Sequence, residues 1–142
     1  MSKLYWQQHN AYQIGFTGTS HSVTSAEEQQ ADADMFHQRS KLIAEKYNVE
    51  WVPRGDAGMI ARANPVVGDT LCARLGINGN LGDNSHEGDI GGGQYLTACT
   101  WFEVLFGQSC IGNTWRPNYA LSEEKIAALQ QAAHEAVANM NN

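Results

Sequence analysis

Two short strand-like runs separated by one long helix constrain the fold of this chain more than any other feature. The run LYW stands at positions 4–6, and the run VEWV stands at positions 49–52. Between them, residues 26–48 have the composition of a helix that begins after Ser25, a typical N-cap, and ends at Asn48. Because a helix between two strands carries the chain back across the sheet, this order predicts an α/β fold with parallel strands.

Three more helices are predicted after the second strand. A short one covers AGMIARA (57–63), with Asp56 as its cap. The strongly apolar segment GQYLTACTWFEVLFG (93–107) ends at Gly107, and we expect it to pack in the interior. The last helix follows Ser122, so the C-terminal half is predicted to be rich in helix.

The remaining segments are predicted to be loops. Residues 15–25 (GFTGTSHSVTS) are rich in Gly, Ser and Thr, and residues 66–93 are loop-rich, with at most a turn of helix around residues 71–75. Two predicted strands fall short of the about four to six strands of a typical sheet. We therefore expect one domain over residues 1–142 that forms part of a larger sheet, completed by a second copy or by a partner chain.

Composition argues against several classes of function. The formal net charge is −6 and the nine Lys and Arg residues are scattered, whereas nucleic-acid binding needs clustered basic residues. No apolar run reaches the roughly 18 residues of a membrane span, and the start MSKLYWQQHN lacks the apolar core of a signal peptide. We expect no nucleic-acid partner, no membrane partner and, by default, a cytoplasmic location.

The cysteines and histidines give no signal of a disulfide or a metal. Cys72, Cys99 and Cys110 form no C-x-x-C pair, so we expect buried or half-buried free thiols. The five histidines show neither H-x-x-x-H nor H-E-x-x-H spacing, so we expect no metal site. The glycines of GDIGGG are not followed by the Gly-Lys-Ser/Thr of a phosphate-binding loop, so we expect no nucleotide cofactor.

One short pattern suits acid–base chemistry. In GDNSHEGDIGGG, Asp83 and His86 are spaced as D-x-x-H just ahead of the apolar helix. This spacing lets the carboxylate curl back to one imidazole nitrogen and fix the tautomer, so that the other nitrogen can take a proton from a hydroxyl. Gly88 and the glycines at 91–93 would allow the tight backbone path of such a loop. The alternative is a surface loop in which the aspartate only caps a helix.

Several ordered segments, from residue 4 to about residue 112, resemble the SGNH (GDSL-like) hydrolase superfamily, in particular a bacterial branch of it. The segment GDNSHEGDIGGGQYLTACTWFEVLFG resembles its last block, an Asp-x-x-His followed by a glycine-containing turn and an apolar helix. The segments EWVPRGDAGMIARAN and GDTL resemble the preceding strand, helix and connection. YWQQHNAYQIGFTGTSH is similar to a segment ending in a hydroxyl-hydroxyl-His triplet, here Thr19, Ser20 and His21.

The resemblance implies a fold and a reaction, and it shows which motifs of the family this sequence does not contain. It implies part of a three-layer, flavodoxin-like architecture, with Asp83 and His86 in the acid and base positions. The family's serine nucleophile belongs to a G-D-S motif, and its oxyanion hole uses a G-x-N-D motif; this sequence contains neither. We expect Ser85 to point away from His86, so the nucleophile is expected from outside this chain, and no cofactor is required.

Four further residues are candidates for substrate binding. Arg54 and Arg62 flank the end of the second strand, where open α/β sheets bind ligands, although a structural salt bridge explains either arginine equally well. Ser20 and His21 come from the hydroxyl-hydroxyl-His triplet. The expected substrate is a small ester, with acylated carbohydrates as one class. Trp115 is a candidate platform for stacking a sugar, or else part of a packed loop.

Two functions of different class therefore remain open. The first is an SGNH-type esterase element that is incomplete as an isolated chain. The second is a non-catalytic binding or assembly module on a remnant of that fold, which would self-associate through an exposed apolar sheet edge or face.

Overall fold

A computed structural model describes residues 2–74 and 84–140, which form a mixed α/β fold with four helices and four short strands. The strands are β1 Tyr5–Gln7, β2 Phe16–Thr17, β3 Ser22–Val23 and β4 Glu50–Val52. The helices are α1 Ala26–Tyr47, α2 Arg54–Ala63, α3 Gly93–Phe106 and α4 Glu123–Asn139.

The predicted strand–helix–strand unit is confirmed. β1 and β4 pair in parallel on either side of α1 in the chain, with Trp6 opposite Trp51 in the register. Successive side chains of β1 point to opposite faces of this sheet. The indole nitrogen of Trp6 donates to the hydroxyl of Ser40 in α1 at 3.1 Å. On the other face, the Tyr5 ring packs edge-on against Trp101 of α3 at 5.8 Å.

For α1, α3 and α4, each helix end for which the sequence named a cap is confirmed. Ser25 accepts a hydrogen bond from the Glu28 amide at 3.2 Å, and Ser122 accepts one from the Lys125 amide at 3.1 Å. Asn48 ends α1 in the left-handed conformation, with φ of 49°. Gly107 ends α3 in the same way.

The prediction that residues 15–25 are entirely loop is wrong. They contain β2 and β3, an antiparallel hairpin in which Phe16 stands opposite Val23. The Gly18 amide closes its turn by donating to the His21 carbonyl oxygen at 2.8 Å. Strands of two residues are too short to show an alternating pattern, so the small polar residues around them dominated the prediction.

The prediction that Asp56 caps α2 is also wrong. The helix begins earlier, at Arg54, with Pro53 in the cap position and no cap from its own side chain. The Gln8 side chain, which follows β1, takes over part of this role. Its carbonyl oxygen accepts from the Asp56 amide at 2.9 Å, and its nitrogen donates to the Asp56 carboxylate at 2.7 Å. A cap supplied from another element leaves no local sequence signal.

The main apolar core lies between α2, α3 and α4, which pack on one another and on Leu71. The expectation of an interior α3 holds for its first turns, where Leu96 and Cys99 are buried, but not for its last turn. There, Phe106 remains 64 % exposed. All three cysteines are buried free thiols, as expected. Within residues 2–74 and 84–140, no helix combines the length and the apolar character that crossing a membrane requires.

Candidate functional site

A pocket of about 470 Å³ lies beyond the carboxyl ends of β1 and β4. Ligand sites of open α/β sheets are found at this edge, because the loops that follow parallel strands converge there. The segment after β1, the start of α2, the His86 loop and the first turns of α3 contribute to its lining. The lining residues are Gln7, His9, Asn10, Tyr12, Phe16, Arg54, Ser85, His86, Glu87, Gln94 and Thr97.

His86 is an exposed side chain of this lining. Its Nδ1 atom lies 2.9 Å from the Ser85 hydroxyl oxygen. The expectation that Ser85 points away from His86 is therefore wrong, because the loop turns the two neighbouring side chains toward each other. Asp83, the predicted orienting carboxylate, lies outside the described residues.

Arg54 joins the sheet edge to the His86 loop. Its Nε donates to the Gln8 carbonyl oxygen at 3.0 Å, and one Nη donates to the Asn10 side-chain oxygen at 2.5 Å. Its other Nη donates to the Glu87 carboxylate at 3.0 Å. The predicted candidate Arg54 thus lines the pocket, and its guanidinium is at the same time the link between three segments of its wall.

Glu87 is the buried partner in this link. Its side chain is 5 % exposed, and its Oε2 accepts from both Arg54 and the Thr97 hydroxyl. Its Oε1 is buried with no hydrogen-bond partner in the described part of the chain. Burial raises the pKa of the Glu87 carboxyl, and the charge of Arg54 opposes this only in part.

Both chain neighbours of His86 are therefore held. Glu87 binds Arg54, and the carbonyl oxygen of Ser85 lies 3.4 Å from the Asn10 side-chain nitrogen. Because Asn10 also accepts from Arg54, these four residues and the backbone of His86 between Ser85 and Glu87 form a closed ring. This ring fixes the base of the His86 loop at the edge of the sheet.

The glycines of this loop allow it to pack closely. A Cβ atom at Gly88 would overlap the backbone carbonyl of Ala73. The Gly88 amide donates to the Leu71 carbonyl oxygen at 2.8 Å. This hydrogen bond holds the His86 loop against the segment that contains Leu71. The tight backbone path predicted for Gly88 is confirmed.

The other substrate-binding candidates lie elsewhere. Arg62 is 5 % exposed at its side chain, pairs with Asp69 at 2.9 Å and donates to the Ala11 carbonyl oxygen at 3.0 Å. Ser20 is exposed in the β2–β3 hairpin, and His21 donates from Nε2 to the buried Asp32 at 2.8 Å. In the described part of the chain, these three residues do not line the pocket.

Sequence reasoning missed much of the pocket lining. His9 and Asn10 follow β1, so the rule that singled out Arg54 beyond β4 could have found them too. Tyr12 reaches the pocket from the segment between β1 and β2, and Phe16 reaches it from β2 of the unpredicted hairpin; neither carried a local signal. The described residues hold no group of three or more His, Cys, Asp or Glu side chains placed to bind a metal ion.

The fold occurs in a solved crystal structure of a DUF4886 family protein from Bacteroides uniformis ATCC 8492. The two chains share 24 % sequence identity and a TM-score of 0.80 over 99 % of this chain and 50 % of that one. At this level of identity the likeness shows a shared fold alone. This chain spans about half the length of that protein. No protein-family model matches the sequence, and no curated protein matches it either.

Proposed function

We propose that this chain is part of an SGNH-type hydrolase that cleaves esters, with His86 as the general base and then the general acid. Asp83 orients the histidine, and the serine nucleophile comes from outside this chain. The observation that carries the proposal is the position of His86. It lines a pocket of about 470 Å³ beyond the carboxyl ends of two parallel strands.

The arrangement of helices supports the finer architecture that the proposal requires. Trp6 and Tyr5 are neighbours in β1 and point to opposite faces, one toward α1 and the other toward α3. Helices on both faces of a parallel sheet are the basis of a three-layer, flavodoxin-like fold. In such a fold, a strand added beside β1 would end at the same edge as the pocket and bring its own loop there.

The proposed reaction follows serine-hydrolase chemistry. The serine oxygen attacks the ester carbonyl while its proton passes to Nε2 of His86. The imidazolium then gives that proton to the departing alkoxide, and a water molecule cleaves the acyl-serine ester by the same two transfers. The task of this chain is to hold the imidazole at the pocket. The ring that Ser85, Asn10, Arg54 and Glu87 form with the backbone of His86 serves this task by fixing the loop on both sides of the histidine.

Hydrolysis of p-nitrophenyl acetate tests the proposal. Without the nucleophile, the chain is expected to hydrolyse the ester slowly by base-assisted attack of water, and His86→Ala should lower the rate at least about tenfold. His134→Gln is the matched control, because His134 is a half-exposed histidine that pairs with Glu103 away from the pocket. Equal rates in wild type and His86→Ala, or no hydrolysis above buffer in either, would contradict the proposal.

A second candidate function, a self-associating assembly module, is favoured by the outer edge of β1. Among the described residues, β1 pairs with β4 alone; Leu4, just before β1, is 72 % exposed, and Trp6, within β1, is 38 % exposed. Unpaired, apolar strand edges promote pairing with another chain. This candidate predicts a dimer by sedimentation equilibrium that Leu4→Lys weakens. A monodisperse monomer at every loading concentration would exclude it.

A further inference from the structure

We infer that the pocket beside His86 binds the carbohydrate part of a neutral sugar ester. This inference rests on the proposed function and specifies its substrate class. It depends on the chemistry of three parts of the pocket wall: a row of aromatic rings, a set of side-chain amides, and an ion pair that is internally balanced.

Aromatic rings form one side of the pocket. The Tyr12 and Phe16 ring centroids are 4.2 Å apart, and the His9 ring packs edge-on against Tyr12 at 5.6 Å. All three line the pocket. His9 is itself fixed, because its Nδ1 lies 2.7 Å from the Asn10 carbonyl oxygen, to which it can only donate. A row of rings held in place offers a rigid apolar surface of the kind on which the C–H face of a sugar ring stacks.

Side-chain amides from β1 and α3 complete the lining. Gln7 uses its carbonyl oxygen to accept from Trp101 at 2.5 Å, so its NH₂ group is left to donate elsewhere. Within residues 2–74 and 84–140, neither this NH₂ group nor the side-chain amide of Gln94 makes a hydrogen bond. Neutral groups that both donate and accept match hydroxyl groups, which also do both.

Charge balance argues against an anionic ligand. Apart from the two histidines, the ionisable acidic and basic side chains of the lining are Arg54 and Glu87, and they bind each other. A phosphate or carboxylate would have to compete with Glu87 for the guanidinium and would leave the buried Glu87 carboxylate unpaired, which is costly. A neutral, polyhydroxylated ligand does not disturb this pair.

Titration of the ¹⁵N-labelled chain by two-dimensional NMR tests the inference. The probes are methyl β-D-glucopyranoside and N-acetyl-D-glucosamine, whose amide resembles an acyl ester but resists hydrolysis. Inorganic phosphate and butyrate are the anionic comparison. We expect the sugars to shift the side-chain amide signals of Gln7 and Gln94 with millimolar dissociation constants, and the anions to leave them unchanged.

Matched variants locate the binding surface. Tyr12→Leu removes the ring and should weaken sugar binding at least about fivefold, whereas Tyr12→Phe keeps the ring and should stay within about twofold. Where Tyr12→Leu does not fold, Phe16→Leu replaces it with the same expectation. Absence of sugar binding to the wild type, binding that Tyr12→Leu leaves unchanged, or stronger binding of phosphate or butyrate would each overturn the inference.

His86→Ala separates this inference from the proposed function. The variant should still bind the sugars, since the stacking surface and the amides remain. Sugar binding together with ester hydrolysis that does not depend on His86 would reject the proposed hydrolase and leave a carbohydrate-binding pocket. His86-dependent hydrolysis without sugar binding would reject the carbohydrate and keep the hydrolase.

Discussion

At the scale of single residues, the pocket depends on a carboxylate that no motif singled out. Glu87 follows His86 directly, and its buried side chain connects the His86 loop to Arg54 and Thr97. Sequence reasoning selected Arg54 because of its place after a strand, and the structure does put Arg54 in the pocket wall. The sequence could not identify Glu87 as the partner of Arg54, because a contact across 33 positions of the chain depends on tertiary packing.

The raised pKa of Glu87 has a consequence for stability. A carboxyl whose pKa in the folded state lies above its ordinary value of 4.5 binds its proton more tightly when folded. The stability it contributes is therefore fully present below the unfolded pKa and is lost as pH rises through the folded pKa. Glu87→Gln removes this titration. We expect the melting temperature of the wild type, relative to Glu87→Gln, to fall as pH rises from 4 to about 7.

Glu28→Gln is the control of opposite sign. Hydrogen bonds from Thr24 lower the pKa of the exposed Glu28 carboxyl, so its contribution is present above the unfolded pKa and is lost as pH falls. The wild type should gain in melting temperature relative to this variant over the same rise in pH. The same sign of change in both variants would show that Glu87 is not a buried carboxyl in the folded protein.

At the scale of elements, helix ends set by local caps could be predicted from the sequence, whereas ends set by contacts with distant residues could not. Ser25, Asn48, Gly107 and Ser122 marked their helix ends correctly, because each cap acts within a few residues of its helix. The start of α2 was missed, since its cap comes from Gln8 after β1. The β2–β3 hairpin was missed because two-residue strands carry no periodic signal.

The close packing of the His86 loop predicts a strong effect of one methyl group. Gly88→Ala would place a Cβ against the Ala73 carbonyl and is expected to lower the free energy of unfolding by about 1–3 kcal/mol. Gly107→Asn is the control: Gly107 has a φ of 63°, which Asn tolerates, and open space around it, so the loss should stay below about 1 kcal/mol. Urea denaturation measures both, and equal losses would contradict the packing of the loop.

At the scale of the whole molecule, the two-stranded parallel sheet is the main structural fact. The parallel pairing of its two strands could be predicted from the sequence, because a helix between two strand-like runs favours a parallel pair. The conclusion that two strands fall short of a typical sheet also came from the sequence, and β1 has one paired edge among the described residues. The pocket lies at the carboxyl end of that sheet, so the loop after a parallel strand beside β1 would reach it.

In the proposed function, this chain holds the histidine of an ester hydrolase while the nucleophile comes from elsewhere. Ser85 provides the test, because its hydroxyl lies 2.9 Å from Nδ1 of His86 and makes it a candidate nucleophile among the described residues. Fluorophosphonates bond covalently to an activated serine. Intact-mass spectrometry after incubation with a fluorophosphonate should therefore show the unmodified mass of the isolated chain. A stoichiometric adduct on Ser85 that His86→Ala abolishes would contradict the account and place the nucleophile within this chain.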